Sequence, residues 1–349
     1  MSIKRFFMRM PTPILVGLLI VIILLGASVA CSLGSGGQEQ AAETSADGEN
    51  ADPPRFPRWD VEGRDWPGRE SSRFVEINGI NWHYQVYGDG PVLLLVHGTA
   101  AASHSWHPLI AELAEHFTVI NLDLPGHGFT SRPDAERFVM TEMAADLGDL
   151  LDHIGYQPEL VVGHSAGAAL LARMVVDGHI SPQALISING SFIRRQGPIG
   201  RFFAPVGRWI FESDRAANFF AGRVEDQQTV ADALERMGTN LDERQVELYT
   251  RLVRTPGHIG SALRMMARWQ LYELEPHLSK LDLPVVLVAG EEDGLVDPDE
   301  AVDVANRMPR ASVIRLDGLG HFAHEEDPAR TLEIIFNIAD AKLQESFAR

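Results

Sequence analysis

The stretch ELVVGHSAGAALLARMVVDG, residues 159–178, decides the reading of this chain. Its first half is a short apolar β-branched run, and its second half has apolar residues at helical spacing. Between them Gly163-His164-Ser165-Ala166-Gly167 fits the pattern G-x-S-x-G. Alone the pentapeptide is a weak signal. A strand before it and a helix after it make it strong, because such a junction presents a serine on a sharp turn at the edge of a sheet. The flanking glycines permit close packing. The start of the following helix supplies unpaired N–H groups to a developing negative charge.

A serine hydroxyl is a poor nucleophile at neutral pH and needs a base, which an acid must orient. Both are expected downstream, in loops that follow strands. PVVLVAG (284–290) is followed by Glu291-Glu292-Asp293-Gly294-Leu295-Val296-Asp297, and SVIRLDG (312–318) by Leu319-Gly320-His321. Asp293 and His321 are therefore the expected acid and base, with Asp297 the second choice for the acid. Glu291 and Glu292 are read as solvated, and His324 as a supporting or surface residue. The strand PVLLLVHG (91–98) leads into Thr99, whose backbone N–H, with that of Ala166, is the expected oxyanion hole. Gly98 is read as letting that loop approach a substrate, and His97 as stabilising it. The tight turn Asp123-Leu124-Pro125-Gly126-His127-Gly128 is read as a structural brace.

Working outward, RFVEI (73–77) and INWHYQVYG (80–88) flank Asn78-Gly79, a strong hairpin signal. FTVINLDL (117–124) and ALISING (184–190) are further strands. MTEMAADLGDLLDHIG (140–155) and EIIFNIADAKL (333–343) are helix-like. Strands alternating with helices imply an α/β fold: a mostly parallel sheet covered on both faces, with an antiparallel edge at its start. Residues 191–275 break this rhythm and are expected to form a helical cap inserted between two strands. Phe202, Phe203, Trp209, Phe211, Phe219, Phe220, Met265, Met266 and Trp269 are mostly packing residues there. Together they form an aromatic cap over the serine, which suggests an apolar, water-poor pocket.

The N-terminus has a different character. Lys4, Arg5 and Arg9 precede a stretch with no charge from Pro11 to Gln38, whose core ILVGLLIVIILLGASVA (14–30) would span about 25 Å as a helix. Basic residues before the apolar run predict an orientation that puts the rest of the chain outside the cytoplasm. Cys31, the only cysteine, follows the run directly, and Ser28-Val29-Ala30-Cys31 resembles a bacterial lipoprotein signal, except that leucine is usual where Ser28 stands. Residues 1–31 are thus read as a signal or membrane anchor, lipidated at Cys31, left uncleaved, or, as the third choice, cleaved to release an exported soluble body. Residues 32–58 are read as a flexible tether, and 59–349 as the folded body.

Of the 349 residues, 48 are acidic and 30 basic, a net charge of −18. Three basic residues precede the apolar run and five acids lie within 38–52, so the remainder carries −16. That balance argues against nucleic acid as a partner, which needs a basic footprint. A hydrophobic content of 45% excludes wholesale disorder. One cysteine excludes an internal disulfide and a multi-cysteine metal site. His104 and His107 have i, i+3 spacing, but no matching carboxylate or histidine accompanies them. No metal or other cofactor is expected, and the pair is placed at the pocket mouth.

With the histidine-glycine loop, the serine motif, the late acid and the final Gly-His in order, the chain from about Trp59 onward resembles the α/β-hydrolase superfamily. DWPGRESSRFV (65–75), LLVHGTAAASHSW (94–106), DLPGHGFTSRP (123–133), VVGHSAGAALLARM (161–174), LYTRLVRTPGHIGSALRMMARW (248–269) and GLGHFAHEEDP (318–328) further resemble the magnesium-chelatase accessory proteins of bacteriochlorophyll biosynthesis. The resemblance implies a hydrolase-type site and a hydrophobic, porphyrin-like ligand. It also implies that a serine at the nucleophile position differs from the aspartate used by dehalogenase and epoxide-hydrolase variants of the fold. Magnesium insertion takes place on the cytoplasmic side, whereas this N-terminus directs the body outward. Two readings therefore stand. One is an exported serine hydrolase acting on an ester or amide of a hydrophobic small molecule. The other is an accessory or ligand-binding protein of pigment synthesis.

Overall fold

The computed structural model describes residues 55–193 and 212–347. Eight strands form one sheet: β1 (Ser72–Ile77), β2 (Ile80–Tyr87), β3 (Val92–Val96), β4 (Thr118–Leu122), β5 (Leu160–His164), β6 (Ala184–Ile188), β7 (Val285–Gly290) and β8 (Ala311–Leu316). Their spatial order is β1-β2-β4-β3-β5-β6-β7-β8. β1 pairs antiparallel with β2, and β2 antiparallel with β4; every later pairing is parallel. The hairpin turns at Asn78 and Gly79, both with positive φ (54° and 75°), as its sequence requires. The central strands β3 to β6 are buried almost throughout, which explains why they read as continuous apolar runs rather than alternating ones.

Helices α1 (His107–Leu113), α2 (Met140–Ile154), α3 (Ala166–Asp177), α9 (Glu300–Ala305) and α11 (Pro328–Phe347) join or follow the strands. One hydrophobic core gathers α2, α3 and one sheet face, with Leu94, Val161, Leu147 and Leu170 fully buried. A second gathers α1, α11 and the opposite face, with Leu93, Val162, Leu109 and Ile335 equally buried. The alternation of Leu93 and Leu94, or of Val161 and Val162, between the two cores is the period-two geometry of a strand covered on both sides.

Between β6 and β7 lie α4 (Asp214–Ala221), α5 (Gln227–Arg236), α6 (Glu243–Val253), α7 (Pro256–Arg268) and α8 (Leu271–Leu274). α6 starts with a capping box, in which the Asp242 carboxylate accepts from Gln245 N–H while the Gln245 side chain accepts from Asp242 N–H. This insertion has its own core of Val230, Leu234, Val246, Tyr249, Val253 and Leu263, which also takes in Ala101 and Phe322 of the main body. A short helix α10 (Ala323–Glu326) follows β8.

One sequence expectation changes here. The folded body begins earlier than Trp59, because Gly257 N–H donates to Arg55 O and Phe56 packs against the backbone at Gly257. Of the cap residues named from the sequence, Met266 lines the cavity beside the serine, where Tyr249 is the insertion's aromatic lining residue among those described. Phe220 is buried in the insertion core and Phe219 lies exposed, while Phe202, Phe203, Trp209 and Phe211 fall outside the described residues. Cys31, the expected anchor over 1–31 and most of the tether also fall outside them. Among the described residues, no helix is long and apolar enough to cross a membrane.

Candidate active site

Ser165 stands between β5 and α3 with φ 51° and ψ −118°. That conformation is rare for a residue with a side chain and costs about 1–3 kcal/mol, so the surroundings must hold it. They do so through the backbone: Ser165 N–H donates to Ile188 O of β6 at 3.0 Å, and Ser191 N–H donates to Ser165 O at 3.3 Å. The turn is possible because of its glycines. A Cβ on Gly163 would lie 2.6 Å from the Ala168 backbone, and one on Gly167 would run into the carbonyl oxygens of Val96 and His97. Gly98 has a related function. A Cβ there would lie 2.9 Å from His164 Nδ1 and 3.0 Å from Ser165 Cβ, so this glycine lets the β3 loop pack on the serine turn.

His321 Nδ1 donates to Asp293 Oδ2 at 2.8 Å, and both side chains are buried. Asp293 Oδ1 accepts from Leu295 N–H at 2.7 Å and Val296 N–H at 3.0 Å. Burial pushes the Asp293 carboxyl up, but His321 and these two N–H groups outweigh it and hold the group below its ordinary range. The backbone of the His321 loop is fixed by the insertion. Met237 O accepts from His321 N–H at 3.3 Å and from Gly294 N–H at 3.2 Å, so one carbonyl beyond α5 ties both loops together. His164 Nε2 donates to His321 O at 2.9 Å.

Ser165, His321 and Thr99 line a single cavity of about 200 Å³, together with His164 and Ser191. A single water needs about 10–15 Å³ of such space, so the cavity has room for a substrate group of several heavy atoms. The rest of its wall is apolar: Val230, Leu234 and Met237 from α5 and its end, Val253 from α6, Ile259, Leu263 and Met266 from α7, and Leu295 and Phe322 from the main body. No lysine, arginine, aspartate or glutamate is among the described lining residues. Ala166 is the first residue of α3, where backbone N–H groups have no intrahelical acceptor.

The remaining sequence candidates take other places. The acid hydrogen-bonded to His321 Nδ1 is Asp293. Glu291 and Glu292 are exposed. Asp123 is fully buried and accepts from His83 Nδ1, Ser103 N–H and Phe129 N–H, which makes its turn a brace. His97 donates through Nδ1 to Gly98 O and accepts from Leu124 N–H. His104 and His107 do not line the cavity; His104 is buried against Trp66 and Tyr249, and His107 is exposed. Among the described residues, no three His, Cys, Asp or Glu side chains converge to hold a metal.

His324 is fully buried, not at the surface, and belongs to a polar network that the sequence did not reveal. His324 Nε2 donates to Ser105 Oγ at 2.8 Å, Ser105 Oγ donates to Glu325 Oε1 at 2.5 Å, and Tyr249 OH donates to the same oxygen at 2.6 Å. Tyr249 thus offers the cavity its ring while its hydroxyl is turned to Glu325, docking α6 on α10. Burial pushes the Glu325 carboxyl up to about 8 and the His324 imidazole down to about 3. The single visible hint was the density of ionisable residues in HFAHEED (321–327).

This sheet order, with a strained serine after its fifth strand and a histidine–aspartate pair after its last two, defines the chain's class. A family model described as the alpha/beta hydrolase fold matches residues 91–328, and the chain belongs to that family. Within it, the chain is similar to the magnesium-chelatase 30 kDa subunit of Rhodobacter capsulatus, 35% identical over 266 residues that make up 74% of this chain and 91% of that protein. It is also similar to the 2-(acetamidomethylene)succinate hydrolase of Mesorhizobium japonicum, 27% identical over 273 residues, 77% of this chain and 95% of that one. An alpha/beta hydrolase fold protein from Burkholderia ambifaria shares the fold with a TM-score of 0.64 and 24% identity, covering 76% of this chain and 97% of its own.

Proposed function

We propose that the chain is a serine hydrolase that cleaves an ester or amide of an uncharged, hydrophobic small molecule. The observation that carries this reading is the shared cavity: Ser165, held at a positive φ, faces the same apolar space as His321, whose Nδ1 is bonded to Asp293. Ser165 Oγ attacks the carbonyl carbon while His321 Nε2 takes its proton. Asp293 keeps the imidazole in the required tautomer and stabilises the imidazolium. The backbone N–H groups of Ala166 and Thr99 bind the tetrahedral oxyanion. His321 then protonates the leaving group, and water releases the acyl-enzyme by the reverse use of the same base. A fluorophosphonate probe is expected to label the wild type and not Ser165→Ala; equal labelling of both would sink the assignment.

A second reading is favoured by the relative named as a magnesium-chelatase subunit: an accessory protein that holds a hydrophobic, porphyrin-like ligand. Titration with protoporphyrin, followed by the Soret band, tests it. A ligand-only function predicts a tight, saturable shift that survives Ser165→Ala. For location, the basic residues before the apolar run of 14–30 support a body held outside the cytoplasm by its N-terminus, with Cys31 as the lipidated residue. Incorporation of labelled palmitate that is lost in Cys31→Ser is the expected result; incorporation unchanged by that variant refutes lipidation at Cys31.

A further inference from the structure

Asn189 follows β6 directly and takes φ 48°. Glycine is the easiest occupant of that left-handed region, and asparagine is among the few other residues that tolerate it. The side chain at this position has a specific partner. Asn189 Nδ2 donates to Asp293 Oδ2 at 2.7 Å, and this is the same oxygen that accepts from His321 Nδ1 at 2.8 Å. Asn189 is itself buried, and its backbone N–H donates to Val288 O of β7 at 2.8 Å. The amide is therefore anchored to the sheet and does not drift with the acid loop.

The Asp293 carboxylate has four donors, and they are of two kinds. Leu295 and Val296 N–H belong to the same loop as Asp293, so they move with it. Asn189 is the donor that refers the carboxylate to the sheet carrying Ser165, since β6 also accepts from Ser165 N–H through Ile188 O. A carboxylate is free to swing about its terminal torsion unless both oxygens are held. The amide occupies one side of Oδ2 and leaves the other to the imidazole.

From this geometry we infer that Asn189 is a positioning residue, which locks the Asp293 carboxylate so that Oδ2 faces His321 and registers the His321 imidazole against Ser165. The inference rests on the hydrolase reading for its catalytic consequence, but the effect on His321 is observable without turnover. Asn189→Gly removes the amide and fits φ 48° better than asparagine, so the fold is not put at risk. Asn189→Asp keeps the shape and the tolerated φ. It donates to Oδ2 only while its carboxyl is protonated, and repels Asp293 once ionised.

The test uses the full chain labelled with ¹⁵N-histidine. The low-field proton resonance of His321 Nδ1, assigned by its loss in His321→Gln, is expected to be displaced in Asn189→Gly. With p-nitrophenyl butyrate, kcat of that variant is expected to fall about tenfold with KM unchanged, the size of one hydrogen bond to a charged group. Asn189→Asp is expected to approach wild-type kcat at acid pH and to fall progressively behind it as pH rises. A resonance unmoved in Asn189→Gly, absent from the wild type, or a wild-type ratio of kcat for Asn189→Asp that is constant with pH, overturns the inference. Fluorophosphonate labelling of the same samples reports separately on the hydrolase reading. An unlabelled wild type with a displaced resonance sinks that reading and leaves the positioning of His321 standing.

Discussion

His321 Nδ1 and Asp293 Oδ2 lie 2.8 Å apart although 28 residues separate them in the chain. The contact forms because β7 and β8 are parallel neighbours that end at the same sheet edge, so the loops after them meet there. Asp293→Asn keeps the size of the acid but favours the wrong imidazole tautomer. We expect kcat to fall about 10³- to 10⁴-fold with KM little changed, measured on p-nitrophenyl butyrate. Asp297→Asn is expected to stay close to wild type, and the reverse ranking of these two variants would reassign the acid.

The lack of charge among the described lining residues leads to a second expectation. A carboxylate on the acyl chain would leave water and find no cation among the described lining residues. The wild type should therefore prefer a neutral p-nitrophenyl butyrate over the p-nitrophenyl hemisuccinate by at least about a hundredfold in kcat/KM. Met266→Arg, which places a guanidinium on that wall, should narrow the gap. A wild type that prefers the hemisuccinate would contradict the hydrophobic-substrate reading.

Buried titratable groups set the pH dependence of stability. His104 and His324 are pushed down to about 3, and His258 to about 4, all mainly by burial. The unfolded chain protonates these groups near 6.5 while the folded one does not, so stability is lost as pH falls below 6.5. Glu325 acts in the opposite direction. Its carboxyl is pushed up to about 8 from 4.5, so the folded state retains a proton that the unfolded state releases, and stability declines as pH rises from 4.5 to 8. Below 6.5 the three histidines outnumber the one carboxyl, which puts the maximum of a Tm–pH curve near 6.5. Glu325→Gln should flatten the decline on its alkaline side, as followed by thermal melts in a buffer series; an unchanged slope would show that Glu325 does not titrate there.

The serine turn makes a prediction about packing. Gly167→Ala drives a methyl into two backbone carbonyls, Val96 O and His97 O, neither of which is a flexible side-chain end. Urea unfolding should show a loss of about 2–3 kcal/mol, near the upper end of ordinary overpacking. Gly155→Ala meets nothing within 4 Å and suffers only from its φ of 76°, so its cost should be smaller, about 1–2 kcal/mol.

Much of this architecture was legible in one dimension. Strands buried on both faces appear as unbroken apolar runs, and a sharp turn between a strand and a helix demands small residues around Ser165, so local chemistry wrote both into the order of residues 91–98 and 159–178. The order of Ser165, Asp293 and His321 was legible for the same reason, since each directly follows a strand. Tertiary structure decided what depends on distant segments converging. It bonded Asp293 to His321, set Asn189 on the Asp293 carboxylate, buried His324 and Glu325 beneath Tyr249, and drew the cavity wall from side chains of α5, α6 and α7. Apart from the ionisable density of HFAHEED (321–327), these features carry little sequence signal, because burial and hydrogen bonding between residues tens to hundreds of positions apart are properties of the packed sheet and its insertion.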